Sequence, residues 1–107
     1  MIIQQLSVFL EDKTGRITEM TRVLSENQLN ISAFSIADAA DYGIVRLIVN
    51  DPPKAKSVLK DHGFSVNTTE VVCMVVPHEP RGLYQALQVL SSRQISIDYM
   101  YAFALGE

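Results

Sequence analysis

Gln4-Gln5-Leu6-Ser7-Val8-Phe9-Leu10, then Glu11-Asp12-Lys13-Thr14-Gly15, then Arg16-Ile17-Thr18-Glu19-Met20-Thr21-Arg22-Val23-Leu24 is the stretch on which the fold turns. From Gln4 to Leu10 the pattern alternates. Leu6, Val8 and Leu10 fall on one side of an extended segment and Ser7 and Phe9 on the other, the period of a half-buried strand. Beyond the polar turn at Glu11 to Gly15 the period changes, so that Ile17, Met20, Val23 and Leu24 share one helical face while Thr18, Glu19, Arg22 and Glu26 point away. A strand followed by a one-faced helix predicts a sheet covered by helices on one side only.

Asn27-Gln28 ends the helix, and Ile31 to Ala37, rich in β-branched and aromatic residues, reads as a second strand. The two Asp and the Gly between Asp38 and Gly43 suit a hairpin turn, which sets the third strand, Ile44 to Val49, antiparallel to the second. In Asp51-Pro52-Pro53 the Asp serves as N-cap, and proline is tolerated where first-turn donors lack intrahelical partners. A second helix comes next, with Ala55, Val58 and Leu59 as its apolar stripe. Gly63 with Phe64 behind it reads as a left-handed C′ glycine, and Ser65 to about Glu70 is a fourth strand. The order β-α-β-β-α-β is the ferredoxin-like arrangement of the α+β class, with strand order 4-1-3-2 and both helices on one face. Residues 1–70 are expected to form this first domain.

The rest of the chain repeats its beginning. A shift of sixty-six places lays Leu83, Ala86, Val89, Leu90 and Ser91 on Ile17, Met20, Val23, Leu24 and Ser25, and Gln94, Ile95 and Ile97 on Gln28, Leu29 and Ile31. Val72, Met74 and Val76 fall on Leu6, Val8 and Leu10. Residues 71–107 are therefore expected to be a partial second repeat of βαβ form, with strands at Val71–Val76 and Ile95–Phe103 flanking a helix. In the 4-1-3-2 order the third strand lies between the first two, and this repeat has none, so a gap with unpaired backbone groups is expected. Either the chain is a truncated form of a longer tandem protein or a partner chain completes the sheet.

Composition excludes several classes. With 48% apolar and 20% charged side chains in 107 residues the chain is globular, and a net charge of -3 disfavours a phosphate-backbone binder. The single Cys73 cannot form an internal disulfide and is expected to be a small core hydrophobe. Together with the lack of a basic n-region and apolar h-region at the start, it points to the cytoplasm. The apolar run Val71 to Pro77 is far shorter than the roughly 20 residues of a membrane span. His62, His78 and Cys73 make no nucleophile–base–orienter set, and no metal-ligand spacing appears. Other ferredoxin-like activities make demands the sequence does not meet: a glycine-rich phosphate loop with a following arginine, paired cysteines for a metal, or a basic-aromatic strand for stacking bases. Arg46 on a central strand suits either an anionic ligand or, more often for such a residue, the open face of the sheet, paired with a carboxylate. Tyr84, Tyr99, Tyr101 and Phe103 suit a core or subunit interface.

Phe9-Leu10-Glu11-Asp12-Lys13-Thr14-Gly15-Arg16-Ile17, a helix, then Leu29-Asn30-Ile31-Ser32-Ala33 resembles the ACT domain family, small bacterial proteins of two ACT domains above all. The resemblance covers the first unit and about half of a second. It implies a non-catalytic, allosteric module that senses amino acids, regulates an enzyme and binds its ligand where paired domains meet. It places at the effector site the positions of Asp12, Gly15 and Asn30. Lys13, Thr14, Arg16 and Ile31 beside them, and His78, which falls on Asp12 in the second repeat, complete the candidate ligand-binding set. In that repeat Arg81 stands where Gly15 stands and Ser96 where Asn30 stands, which weakens a second site.

The same residues support this reading physically. Free N–H groups at the start of the first helix suit a carboxylate, and Gly15 lets a ligand approach the backbone. Asp12 before the helix and Asn30 after it are expected to offer ammonium acceptors from neighbouring strand ends. The expectation is an amino-acid-binding regulatory protein, not an enzyme, without cofactor or metal. Its partners are a small amino acid and either a second copy in a homo-oligomer such as a dimer or a regulated metabolic enzyme, with no nucleic acid or membrane. The alternative is a protein-interaction subunit of an amino-acid-metabolism enzyme that binds no free ligand.

Overall fold

The computed structural model describes residues 1–11, 14–38 and 41–102, which fall into two compact units dividing after Cys73. Unit 1 runs β1 (Ile2–Glu11), α1 (Arg16–Glu26), β2 (Ile31–Asp38), β3 (Tyr42–Val49), α2 (Pro52–Asp61) and β4 (Ser65–Val72). This is the expected βαββαβ path, and its strands form one antiparallel sheet in the order β2-β3-β1-β4. In the central strand, Leu6 stands opposite Leu47 of β3 and Val8 opposite Val45, while on its other side Val8 stands opposite Val66 of β4. Because side chains alternate across a strand, these residues share one face. Leu6, Val8, Val45 and Leu47 are wholly buried there under Met20, Val23 and Leu24 of α1 and Ala55 and Leu59 of α2. Each large aliphatic side chain so enclosed contributes about 1.5–3 kcal/mol of transfer free energy. Every buried apolar side chain among the described residues lies in unit 1.

Local sequence sets the helix ends. The Asp51 side chain accepts the N–H of Lys54 at 3.2 Å, with Pro52 and Pro53 in the first turn. At the other end of α2, Gly63 adopts φ +86°. The Phe64 N–H then donates to the Leu59 carbonyl at 3.0 Å, the Gly63 N–H donates to the Lys60 carbonyl at 3.0 Å, and Phe64 is buried. α1 closes the same way with a glutamine in the left-handed position: Gln28 has φ 61°, and the Leu29 N–H donates to the Leu24 carbonyl at 3.0 Å.

The regular element of unit 2 is α3 (Gly82–Ser92). The internal repeat reaches the backbone here. Gln94, sixty-six places after Gln28, has φ 60°, and the Ile95 N–H donates to the Leu90 carbonyl at 3.0 Å. The two strands expected to flank this helix are not formed. Val71 and Val72 complete β4, opposite Ile3 and Ile2, and residues 73–81 and 95–102 carry no strand; Phe103 lies outside the described residues. The reason is physical: a strand exists through backbone bonds to its neighbours, as β2 is held by β3 and β1 by β3 and β4, and among the described residues no strand lies beside residues 73–81 or 95–102 to pair with them. Cys73, expected in the core, is exposed just past β4, its N–H donating to the Met1 carbonyl at 2.8 Å.

Candidate functional site

α1 starts at Gly15, whose φ of +90° brings the chain out of the turn, and among the described residues no side chain makes a capping hydrogen bond to the helix. Its first bond is from the Glu19 N–H to the Gly15 carbonyl at 2.9 Å, so the preceding first-turn N–H groups have no acceptor within the helix. A Cβ added at Gly15 would meet nothing within 4 Å. Backbone conformation rather than crowding therefore requires glycine, and the space a Cβ would take at Gly15 is open. Such an end attracts anions, because the unpaired donors and the helix dipole carry the same sign.

Beside it lies a pocket of about 170 Å³. β1 and β2 are both antiparallel to β3 and so run parallel to each other, which brings their C-terminal ends to the same edge as the first residues of β3. Gly43 stands opposite Leu10 on one side and Asp38 on the other. Leu10, Ile17, Ile36 and Val45 make the apolar part of the lining, and Arg16, Glu11 and Asp38 the charged part. The Arg16 guanidinium is positioned twice: Nη1 lies 3.2 Å from Glu19 Oε2, and Cζ lies 4.2 Å from the centroid of the Phe64 ring. The Glu19 bond engages one of its five N–H donors. A cation beside a helix start, with two carboxylates across an apolar floor, matches the charge layout of a zwitterion.

The structure places the predicted residues unevenly. Asp12 and Lys13 lie outside the described residues. Thr14 and Gly15 are exposed at the helix start, and Arg16 lines the pocket. Asn30 and Ile31 lie elsewhere. They begin β2, and the Asn30 carbonyl accepts the N–H of Asn50 beyond the far end of β3. That is roughly 25 Å from the pocket at about 3.3 Å per strand residue. Asn30 and Asp12 were expected at neighbouring strand ends; because β1 and β2 are parallel, the end of one and the start of the other lie at opposite edges of the sheet. His78 is exposed in the loop before α3. At the start of α3, Gly82 is buried, and a Cβ there would collide with the Pro77 carbonyl oxygen, which also accepts the Glu79 N–H at 2.9 Å.

Sequence reading missed Glu11, Ile36, Asp38, Gly43 and Val45. Asp38 and Gly43 were read only as turn formers, although the strand order already implied that the β2–β3 hairpin shares an edge with the β1–α1 loop. Arg46 is on the face away from the helices, opposite Ser7 and Ser35. Among the described residues no group of three or more His, Cys, Asp or Glu is placed to hold a metal ion, and no helix is long and apolar enough to cross a membrane.

Comparison with known proteins agrees with this architecture. The family described as an ACT domain pair matches residues 1–107. A crystal structure of a protein from Bacteroides thetaiotaomicron is 50% identical with a TM-score of 0.93, the match covering 97% of this chain and 72% of that one. The ligand-free regulatory subunit of aspartate kinase from Thermus thermophilus is similar in fold, with a TM-score of 0.70 at 12% identity over 96% of this chain and 81% of that one. The ACT domain of prephenate dehydrogenase from Bacillus anthracis has a TM-score of 0.54 at 24% identity, over 59% of this chain and 99% of that domain. No curated protein matches the sequence.

Proposed function

The chain belongs to the ACT domain family, as a match to its ACT domain pair, and from that premise we propose that it is an amino-acid-sensing regulatory protein without catalysis of its own. ACT domains are regulatory modules. The observation that carries the finer reading is the convergence, in one pocket of about 170 Å³, of Arg16 with Glu11 and Asp38 beside the start of α1. The ligand's carboxylate takes the Arg16 guanidinium and the first-turn N–H groups of α1. Its ammonium takes Glu11 and Asp38, and a short side chain lies on Leu10, Ile17, Ile36 and Val45. The volume is well under the roughly 300–1,000 Å³ of drug-sized sites, which favours a small amino acid. Asn30 and Ile31 join this ligand only if they come from another copy of the chain, since within one copy they stand at the other end of the sheet. The proposed compartment is the cytoplasm, where a single exposed thiol such as Cys73 stays reduced.

Ligand that binds the folded state alone stabilises it by about 2.7 kcal/mol at a hundred times its dissociation constant. A thermal-shift screen of the twenty amino acids should therefore raise the melting temperature with one or a few of them, by roughly 10 °C at that excess. Arg16→Gln and Asp38→Asn should each remove the shift. A screen silent across all twenty, or a shift that survives both substitutions, ends this reading. Silence would favour a subunit that binds a metabolic enzyme instead, a role to which Phe34 and Ile36 lend support as large apolar residues more than half exposed on the edge strand β2.

A further inference from the structure

The guanidinium that lines the pocket belongs to a residue standing where a helix least favours a cation. Arg16 is the first residue of α1, at the positive end of the helix dipole, where Asp and Glu stabilise and Lys and Arg do not. A local preference broken at one position calls for a compensating contact, and such positions gather at functional sites. Arg16 has two compensating contacts, and they are of unequal weight.

Glu19 makes the first, its Oε2 lying 3.2 Å from Arg16 Nη1, but the Glu19 side chain is 41% exposed, and an ion pair in that setting holds its geometry only weakly. Phe64 makes the second. Its ring is buried, and the terminal turn of α2 fixes its backbone: with Gly63 in the left-handed conformation, the Phe64 N–H donates to the Leu59 carbonyl and the Gly63 N–H to the Lys60 carbonyl. Ser65 stands opposite Phe9, which brings the start of β4 to the edge where β1 ends and α1 begins. The ring thereby meets the guanidinium, 4.2 Å from ring centroid to Cζ, without itself lining the pocket. A cation held over a ring loses its freedom to swing, and the contact uses none of its N–H donors. The rigid contact is therefore the one with Phe64.

We propose that Phe64 is the positioning residue of this site, setting the affinity for a ligand carboxylate by holding Arg16 from behind. The proposal rests on the amino-acid reading of the pocket and adds a route out of it. Coupling between two sites is reciprocal, so a ligand that engages Arg16 steadies the ring and the turn that carries it. Occupancy at the β1–α1 edge is then felt at the end of α2, which contributes no residue to the lining.

Calorimetric titration of the full chain with each of the twenty free amino acids tests it. Phe64→Leu keeps an apolar side chain but no aromatic face, and should weaken whichever amino acid binds the wild type by about tenfold. Arg16→Lys keeps the charge without the planar group and should lose at least as much, while the double substitution should lose little more than Arg16→Lys alone. In hydrogen exchange the bound amino acid should slow the Gly63 and Phe64 amides more than that of Ala55 in the first turn of the same helix, and Arg16→Lys should erase the difference. The exchange measurement needs no change at Phe64, so it decides even where Phe64→Leu does not fold. Equal binding by wild type and Phe64→Leu, losses that add in the double variant, or equal slowing at Ala55 and Phe64 overturns the positioning role and leaves the amino-acid reading standing. A wild-type chain that binds none of the twenty overturns both.

Discussion

Gln28 and Gln94 show how closely one residue records the history of the chain. Each ends a helix with positive φ, a conformation that costs a side chain roughly 1 kcal/mol or more through crowding of its Cβ against backbone. Each is held there because the next N–H closes on the helix, at 3.0 Å in both cases. Gln28→Gly should relieve that strain and stabilise unit 1 by about 0.5–1 kcal/mol, raising the melting temperature by several degrees. An unchanged or lower melting temperature would show that the glutamine side chain contributes more than the backbone loses. The match between the two glutamines was legible in sequence as an alignment of letters. That they share a left-handed backbone was not, since glutamine, unlike Gly63, carries no such signal.

At the scale of an element, legibility followed the range of the interactions that form it. α2 was readable at both ends because its start and stop are local: Asp51 caps a donor three residues on, and Gly63 turns the chain so that Phe64 closes on Leu59. Asp51→Ala should cost about 1 kcal/mol, seen as a lower urea midpoint with unchanged slope. An effect within error would mean that solvent serves the Lys54 N–H as well as the carboxylate does. The expected strands at Val71–Val76 and Ile95–Phe103 had the right composition, yet 95–102 is irregular and Val71 and Val72 belong to β4. A helix satisfies its own backbone, but a strand borrows its partners from elsewhere.

For the whole molecule, the two repeats make a matched experiment. Leu24 is 1% exposed in the core of unit 1, and Leu90 at the corresponding place lines an open trough. Leu24→Ala should cost about 2–5 kcal/mol in urea unfolding, whereas Leu90→Ala should leave the unit 1 transition almost where it was. Comparable losses from both would mean that unit 2 closes a core of its own. The candidate site belongs to this scale as well. Gly15 and Arg16 were found from the strand-to-helix turn, but Asp38 and Gly43 reach the pocket only through the register of β3 with both its neighbours. The family resemblance puts Asn30 at the effector site with Asp12. Within one chain the sheet places it at the opposite end of the strands from the pocket, so which copy it would serve is a matter of tertiary and quaternary structure.

What the amino-acid order determined by itself was everything governed by near neighbours: the alternation of β1, the amphipathic faces of α1 and α2, their caps, the βαββαβ succession and the repeat. Tertiary structure alone decided which ends of which strands meet, and so which charges share a pocket. It also decided that, among the described residues, the second copy of the motif forms its helix but not its strands. The physical reason is the same in both cases. Hydrogen bonds and side-chain contacts within a helix join residues three or four apart, while a sheet joins residues whose separation the chain sets only when it has folded.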